Sequence, residues 1–162
     1  MIVYHGTTLE IETPDVSFSK AHLDFGRGFY VTTYKEQAER WARRKGLRLG
    51  AQPVVNVYEL NDTDGFKTLR FENEDEAWID FVCDCRQGDT SYKDYDIIIG
   101  GVADDNVFKA VDMYAQGIWD KERTLNELRY YKTNNQICIV NQAVIEERLV
   151  FIKSYKVGDE NG

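Results

Sequence analysis

Residues 25–33 read FGRGFYVTT, and this stretch decides most of what the sequence says about the fold. Residues 29–32 are aromatic and β-branched, which predicts a strand containing Tyr30. Gly26 and Gly28 precede this strand, and because glycine has no Cβ, they allow backbone and ligand to approach closely. The stretch therefore predicts a strand that the chain enters through a tight glycine loop.

A second informative stretch lies upstream, where residues 4–7 read YHGT. Residues 2–4 predict a short strand that delivers His5 in a loop at its end. Residues 8–24 are polar and contain Pro14 and several serines, so they predict an irregular segment. Loops of this kind commonly carry binding groups on a rigid scaffold, and we expect the segment to cover a cleft.

The rest of the pattern mixes strands with helices. Strands are predicted over 54–60, 66–71, 95–99, 137–140 and 149–155, and helices over 35–45, 74–86, 106–116 and 121–131. Gly46 is the predicted end of the first helix. No G-x-G-x-x-G opens a helix after a strand, which disfavours a doubly wound sheet. We expect one α+β domain over 1–157, with a mostly antiparallel sheet core and flanking helices, and a loose tail at 158–162.

The composition is that of an ordered, acidic domain. Of 162 residues, 43% are apolar and 13% aromatic, which favours a packed core over disorder. The formal net charge of −8 disfavours non-specific binding to nucleic acid or to an anionic membrane. The apolar runs are too short to span a bilayer, and no signal-like segment opens the chain, so we expect a cytoplasmic protein without a membrane partner. The basic run at 40–48 is expected on a solvated helix face, with a phosphate contact as the alternative.

The cysteines give no sign of a metal site. Cys83, Cys85 and Cys138 have no ligand-like spacing, and His5 and His22 are the only histidines. We expect structural thiols in a reducing compartment and no metal.

Three stretches together resemble the strand motifs of the ADP-ribosyltransferase superfamily, in its diphtheria-toxin-like and poly(ADP-ribose)-polymerase-like branch: YHGT at 4–7, FGRGFYVTT at 25–33 and TNNQICIV at 133–140. More narrowly, the chain is similar to a family of small bacterial domains assigned to that superfamily. The resemblance covers nearly all of the chain, and its first two motifs are specific in combination. It implies an ADP-ribosyltransferase-like split sheet and NAD as the substrate.

Carried over by motif, the resemblance assigns the two ends of NAD to the first two stretches. His5 would hydrogen-bond a ribose hydroxyl at the adenosine end, and Gly6 would hold the nicotinamide carboxamide with its bare backbone, with Thr7 as a small polar neighbour. Tyr30 would stack on the nicotinamide ring, which contributes on the order of 1 kcal/mol. The implied catalytic groups are His5, Tyr30 and Gln136.

Three further residues are implied less specifically. Trp41 is either a second aromatic that sandwiches nicotinamide with Tyr30 or a core residue on its helix. Arg27 either meets the pyrophosphate or points to water. Gly28 is expected to let the backbone approach the ligand.

The third motif departs from the superfamily, because Gln136 occupies the position that usually carries glutamate. An amide keeps the hydrogen bond to the ribose but supplies no negative charge, a loss of at most roughly 4 kcal/mol, or about a thousandfold in rate. The departure argues against polymer synthesis more strongly than against single transfer. Another acid could substitute, with Glu146, Glu147 and Asp112 as candidates. If the missing charge limits the reaction, Gln136→Glu should raise NAD turnover.

The resemblance also implies an acceptor-recognising loop before the third motif. Residues 126–135 occupy that position, and Tyr130, Tyr131 and Lys132 are its candidate contacts. The alternative is a helix end that packs the two tyrosines.

The implied function is mono-ADP-ribosyl transfer from NAD to a macromolecular acceptor, a protein rather than a nucleic acid. The setting could be a toxin–antitoxin or phage-conflict system, with an antitoxin protein as a partner. One alternative is a catalytically degenerate NAD-binding or protein-interaction module of the same fold. Another is an NAD glycohydrolase, which would pass ADP-ribose to water.

Overall fold

The computed structural model describes residues 1–102, 105–128 and 134–158, and of 105–108 the backbone alone. The described strands are β1 Ile2–Thr7, β2 Phe29–Val31, β3 Val54–Leu60, β4 Thr68–Arg70, β5 Ile97–Gly100, β6 Gln136–Ile139 and β7 Leu149–Lys156. The described helices are α1 Lys35–Leu49, α2 Glu76–Arg86, α3 Asp105–Ala115, α4 Lys121–Leu128 and α5 Gln142–Arg148.

The strands form two sheets. The first has the order β1-β3-β7, and the second has the order β2-β6-β5-β4. All pairings are antiparallel except that of β4 with β5, which is parallel. The α+β class with a mostly antiparallel core is therefore confirmed, with one parallel pair that the sequence did not indicate. None of the helices within the described ranges is long and apolar enough to cross a membrane.

The two sheets are joined where β1 runs beside the end of β2. The backbone N–H of Tyr4 donates to the carbonyl of Thr32 at 2.8 Å, and that of Thr32 donates to the carbonyl of Tyr4 at 2.9 Å. This isolated pair of hydrogen bonds brings the first two motifs side by side. His5 lies inside β1, so the prediction that it stands in a loop is wrong; pairing with β3 extends the strand to Thr7.

A large apolar cluster packs α2 and α3 against the second sheet. Phe25, Trp78, Ile98 and Cys138 are fully buried in it. The indole N–H of Trp78 donates to the carbonyl oxygen of Gly101 at 3.1 Å, so its one polar atom is satisfied. The cluster includes Cys138 of β6, and Tyr30 of β2 packs against it.

Helix α1 is longer than its sequence pattern predicted. Gly50 ends it, in the left-handed conformation with φ 64°, and donates its N–H to the carbonyl of Gly46. The prediction that Gly46 ends the helix is wrong. Gly46 is needed inside the helix because a Cβ there would lie 2.7 Å from the carbonyl oxygen of Ala51.

Candidate functional site

A cavity of about 690 Å³ opens beside the junction of β1 and β2. Its walls come from β1, β2, α1 and the start of β6, and residues 9–24 supply much of the rest. This volume lies in the range of small-molecule sites, roughly 300–1,000 Å³.

The cavity brings together six of the residues that the sequence singled out: His5, Thr7, Gly28, Tyr30, Trp41 and Gln136. Gly6 and Arg27 do not line it, and Arg27 is exposed. Tyr130, Tyr131 and Lys132 lie outside the described residues, so the acceptor loop stays a prediction.

His5 is held as a neutral hydrogen-bond acceptor. Its Nδ1 lies 2.6 Å from the carbonyl oxygen of Tyr30, which can only accept, so Nδ1 carries the proton and Nε2 keeps a lone pair. Burial lowers the pKa of His5 to about 4; the bond to Tyr30 acts in the opposite direction, and the charge of Lys45 lowers the pKa further. The ring packs on Phe29, with centroids 4.3 Å apart. At neutral pH, His5 therefore offers an acceptor in the cavity wall.

Gly6 is explained by packing of α1. A Cβ on Gly6 would lie 2.8 Å from the backbone nitrogen of Ala42 and closer still to the carbonyl of Ala38. Glycine thus allows α1 to rest directly on β1. Because Gly6 does not line the cavity, its implied role as holder of the carboxamide receives no support from this position.

Tyr30 is fixed through its hydroxyl, which spans the glycine loop. The hydroxyl donates to the carbonyl oxygen of Gly26 at 2.6 Å and accepts from the N–H of Phe25 at 3.0 Å. Gly26 has φ 80°, a left-handed conformation that favours glycine. Burial raises the pKa of Tyr30 well above its usual value, with smaller contributions from Cys138 and Asp24. The phenol therefore stays protonated, and the ring forms a rigid wall of the cavity.

Gly28 is needed both for packing and for the cavity. A Cβ there would lie 2.5 Å from Sγ of Cys138 and 2.7 Å from the carbonyl oxygen of Ile139. Its N–H donates to the hydroxyl oxygen of Ser19 at 2.9 Å. This hydrogen bond ties residues 8–24, which we call the covering segment, to the strand that carries Tyr30.

Helix α1 contributes an aromatic ring and a cation. Trp41 is half-buried and lines the cavity, and Lys45 lines it one helical turn later. The Lys45 ammonium donates to the hydroxyl of Thr7 at 3.3 Å. The sequence placed Lys45 in a basic run on a solvated face, whereas the structure turns it inward; its i, i+4 spacing from Trp41 was the available signal.

The rest of that basic run faces elsewhere. Arg40, Arg43 and Arg44 line a separate groove, and Arg48 is exposed. Among the described residues that line the main cavity, Lys45 is thus the side chain that carries a positive charge at neutral pH.

Gln136 lies at the start of β6, where it is 4% exposed. Its Nε2 donates to Oδ2 of Asp24 at 2.9 Å and to the carbonyl oxygen of Gly101 at 3.1 Å. Oδ1 of Asp24 accepts from Nε and Nη2 of Arg86 at 2.8 and 2.5 Å. Sequence reasoning missed Asp24 and Arg86, because no motif or short spacing connects residues so distant in the chain.

The acids that the sequence offered as substitutes lie elsewhere. Glu146 and Glu147 are exposed on α5, and Asp112 is exposed on α3. None of the three lines the main cavity, whereas Asp24 does.

Asn135 sets the position of its neighbour Gln136. Its Oδ1 accepts from the hydroxyl of Thr32 at 2.7 Å and from the N–H of Thr33 at 3.1 Å. Its backbone carbonyl accepts from Nε2 of Gln37 at 2.7 Å. These bonds pin the start of β6 to the end of β2 and the start of α1.

The covering segment is irregular apart from a short 3₁₀ turn, Val16–Phe18, as expected. The amide of Asn56, buried in β3, donates to the carbonyl of Leu9 at 2.8 Å and accepts from the N–H of Ile11 at 2.9 Å. Gln142 donates to the carbonyl of Pro14 at 2.9 Å from the side of α5. The segment is therefore anchored to β3 and to α5 while it lines the cavity.

None of the three cysteines lines the main cavity. Cys83, Cys85 and Cys138 are buried and unpaired with one another. Burial raises the pKa of Cys83 to about 11 and that of Cys85 to about 12, so both remain protonated. Within the described ranges, no cluster of His, Cys, Asp and Glu is arranged to hold a metal ion.

Comparison with known proteins identifies a family. Neither the curated proteins nor the solved structures gave a significant match. Residues 1–151 match the family described as "Protein of unknown function (DUF3990)". Because this match covers most of the 162 residues, the chain belongs to that family.

Proposed function

We propose that this protein is a mono-ADP-ribosyltransferase, which cleaves NAD at the nicotinamide ribose and passes ADP-ribose to a macromolecular acceptor. The observation that carries the proposal is that His5, Tyr30 and Gln136, which are far apart in the sequence, line one cavity of suitable size. Three motifs that resemble those of one superfamily thereby meet at one site.

The charges and rings of the cavity suit the parts of NAD. The unprotonated Nε2 of His5 can accept a hydrogen bond from a ribose hydroxyl. Lys45 is the cation available to the pyrophosphate, a role for which the sequence offered Arg27. Tyr30 and Trp41 line the same cavity, and each offers an aromatic ring on which a flat ligand ring could stack.

The proposed reaction breaks the bond between C1′ of the ribose and N1 of nicotinamide. Nicotinamide leaves with the bonding electron pair and becomes neutral, while positive charge develops on the ribose. A nucleophile of the acceptor forms the new bond to C1′ and loses its proton. Oε1 of Gln136 would accept a hydrogen bond from the ribose 2′-hydroxyl and so fix the sugar next to Tyr30. An amide at this position favours single transfer over chain extension.

The test is incubation of the purified protein with NAD labelled in the adenylate phosphate, with and without cell lysate. We expect nicotinamide release together with label on a macromolecule. Tyr30→Ala should abolish both, and the matched variant Tyr34→Ala should not, because Tyr34 is 49% exposed and does not line the cavity.

Each other outcome has a defined meaning. Nicotinamide release without transfer of label would identify a glycohydrolase. Binding of NAD without release of nicotinamide would favour the catalytically degenerate NAD-binding module. The glutamine at position 136 is the reason for that alternative. If the protein neither binds nor cleaves NAD, the proposal is wrong.

A further inference from the structure

The amide of Gln136 has both of its hydrogens engaged by oxygen atoms of the protein. Nε2 donates to Oδ2 of Asp24 and to the carbonyl oxygen of Gly101. The flipped amide would place Oε1 against a carboxylate and a carbonyl, neither of which has a hydrogen to donate to it. The orientation of the amide is therefore fixed, and Oε1 is the atom that Gln136 can offer to a ligand in the cavity.

Asp24 lies at the wall of the same cavity. It is 9% exposed, and its two oxygens face different partners, Gln136 on one side and the guanidinium of Arg86 on the other. A buried ion pair is a weak source of stability, because apolar side chains of similar volume often serve as well or better. Because Asp24 bonds directly to Gln136, we expect the role of this ion pair to lie in the function of the site.

We propose that Asp24 is a positioning residue that supplies, through Gln136, the negative potential that a glutamate at position 136 would supply directly. This inference rests on the proposed transferase function. A carboxylate that accepts a hydrogen bond from an amide N–H polarises the amide, because bonds in a chain strengthen one another in a low dielectric. The polarised Oε1 becomes a stronger acceptor for the ribose hydroxyl, and it stabilises the positive charge that develops on the ribose more strongly. The guanidinium of Arg86 stabilises the charged form of the Asp24 carboxylate that polarises the amide.

The same contacts reverse the expectation drawn from the sequence for Gln136→Glu. The new carboxylate would stand within hydrogen-bond distance of Asp24, and the carbonyl of Gly101 would lose one of its two donors, keeping that of Trp78. Two carboxylates at this distance oppose each other's ionisation. We therefore expect Gln136→Glu to lower NAD turnover. In the exchanged protein, Asp24→Asn with Gln136→Glu, an amide again faces a carboxylate, and part of the turnover should return.

The experiment compares nicotinamide release by wild type, Asp24→Asn, Gln136→Glu and the exchanged double variant. We expect Asp24→Asn to lower kcat by about tenfold or more while KM for NAD changes little, which is the signature of an interaction made in the transition state. The double variant should exceed Gln136→Glu by about tenfold. Asp84→Asn is the matched control, because it removes an acid from the exposed face of α2. Urea unfolding of each variant separates turnover from stability.

A kcat of wild-type size in folded Asp24→Asn, or a gain of turnover in Gln136→Glu, would overturn the inference and leave the transferase proposal standing. If wild type releases no nicotinamide, the transferase proposal fails and the inference fails with it. If Asp24→Asn does not fold, the comparison of Gln136→Glu with wild type decides. The side-chain amide signals of ¹⁵N-labelled Gln136 give a readout without turnover, since they should shift in Asp24→Asn and not in Asp84→Asn.

Discussion

The two ends of the cavity balance their charges in different ways. The residues on β1 and α1, His5, Thr7, Trp41 and Lys45, form what we call the β1 end. They present a neutral acceptor, a ring and an ammonium that donates to the hydroxyl of Thr7. The β6 end consists of Tyr30, Asp24 and Gln136. There Gln136 donates to the buried carboxylate of Asp24, which is also paired with Arg86. The β1 end thus offers charge to a ligand, whereas the β6 end offers a fixed dipole supported by charges that are already compensated. This difference suits binding at the first and orientation at the second.

The largest expected effect is at the β6 end. Gln136→Leu removes Oε1 and leaves the carbonyl of Gly101 with Trp78 as its remaining donor. We expect kcat for nicotinamide release to fall about 100- to 1,000-fold, as when one preorganised transition-state contact is lost. Calorimetry should show a much smaller change in the Kd for NAD. The exposed Gln87→Leu is the control. A loss of affinity as large as the loss of kcat would assign Gln136 to binding and break the contrast between the ends.

The next effect comes from the partly buried, neutral His5 of the β1 end. Its pKa is about 4 in the folded protein and 6.5 in the unfolded chain, so the unfolded chain binds more protons between these values. The stability that this histidine contributes is full above pH 6.5 and is lost as the pH falls towards 4, by at most about 3 kcal/mol. Urea unfolding at pH 7, 5.5 and 4.5 should show this slope, reduced in His5→Gln. Equal slopes in both proteins would contradict the buried neutral state.

Lys45 tests whether the β1 end offers its charge to NAD. Replacing it by methionine keeps much of the chain's bulk and removes a charged hydrogen bond, typically about 1.5–3 kcal/mol, so the Kd for NAD should rise roughly tenfold or more. Arg48→Met, on the exposed last turn of the same helix, should leave the Kd unchanged. Arg27→Met should change it little, because Arg27 lies outside the cavity. If Arg27→Met raised the Kd for NAD more than Lys45→Met, pyrophosphate binding would be assigned to Arg27 instead.

The smallest expected effect, at Trp41, tests which part of NAD this residue contacts. Trp41→Leu should weaken NAD by about fivefold, since one stacked ring contributes on the order of 1 kcal/mol. Titration with ADP-ribose, which lacks nicotinamide, shows which ring is stacked. Equal losses for NAD and ADP-ribose would place Trp41 at the adenosine side with Lys45, whereas a loss for NAD alone would support a nicotinamide sandwich with Tyr30.

Local patterns were enough to predict most elements of the fold. The alternation in 54–60 predicted β3 with both of its ends correct, and the other described strands and the helices α1 to α4 were predicted with one or both ends shifted. The short helix α5, Gln142–Arg148, was not predicted. The errors arose where distant contacts decide. Gly46 lies inside α1 because its backbone packs closely against Ala51, and the helix ends instead at Gly50, which adopts the left-handed conformation. His5 belongs to β1 because it pairs with β3.

The site was predictable to the extent that motifs report it. Motifs pointed to His5, Tyr30 and Gln136, which line the cavity, and also to Gly6 and Arg27, which do not. They gave no hint of Asp24, because a carboxylate in a polar loop looks the same whether it faces water or a buried amide.

The sequence by itself determined the α+β class, the irregular cover and the three motifs, because periodicity and local residue chemistry are properties of neighbouring residues. Only the tertiary structure decided that Lys45 turns into the cavity, that Gly6 serves the packing of α1, and that Gln136 is backed by Asp24 and Arg86. Those outcomes depend on which side chains burial forces to share hydrogen bonds, and burial is set by the whole fold.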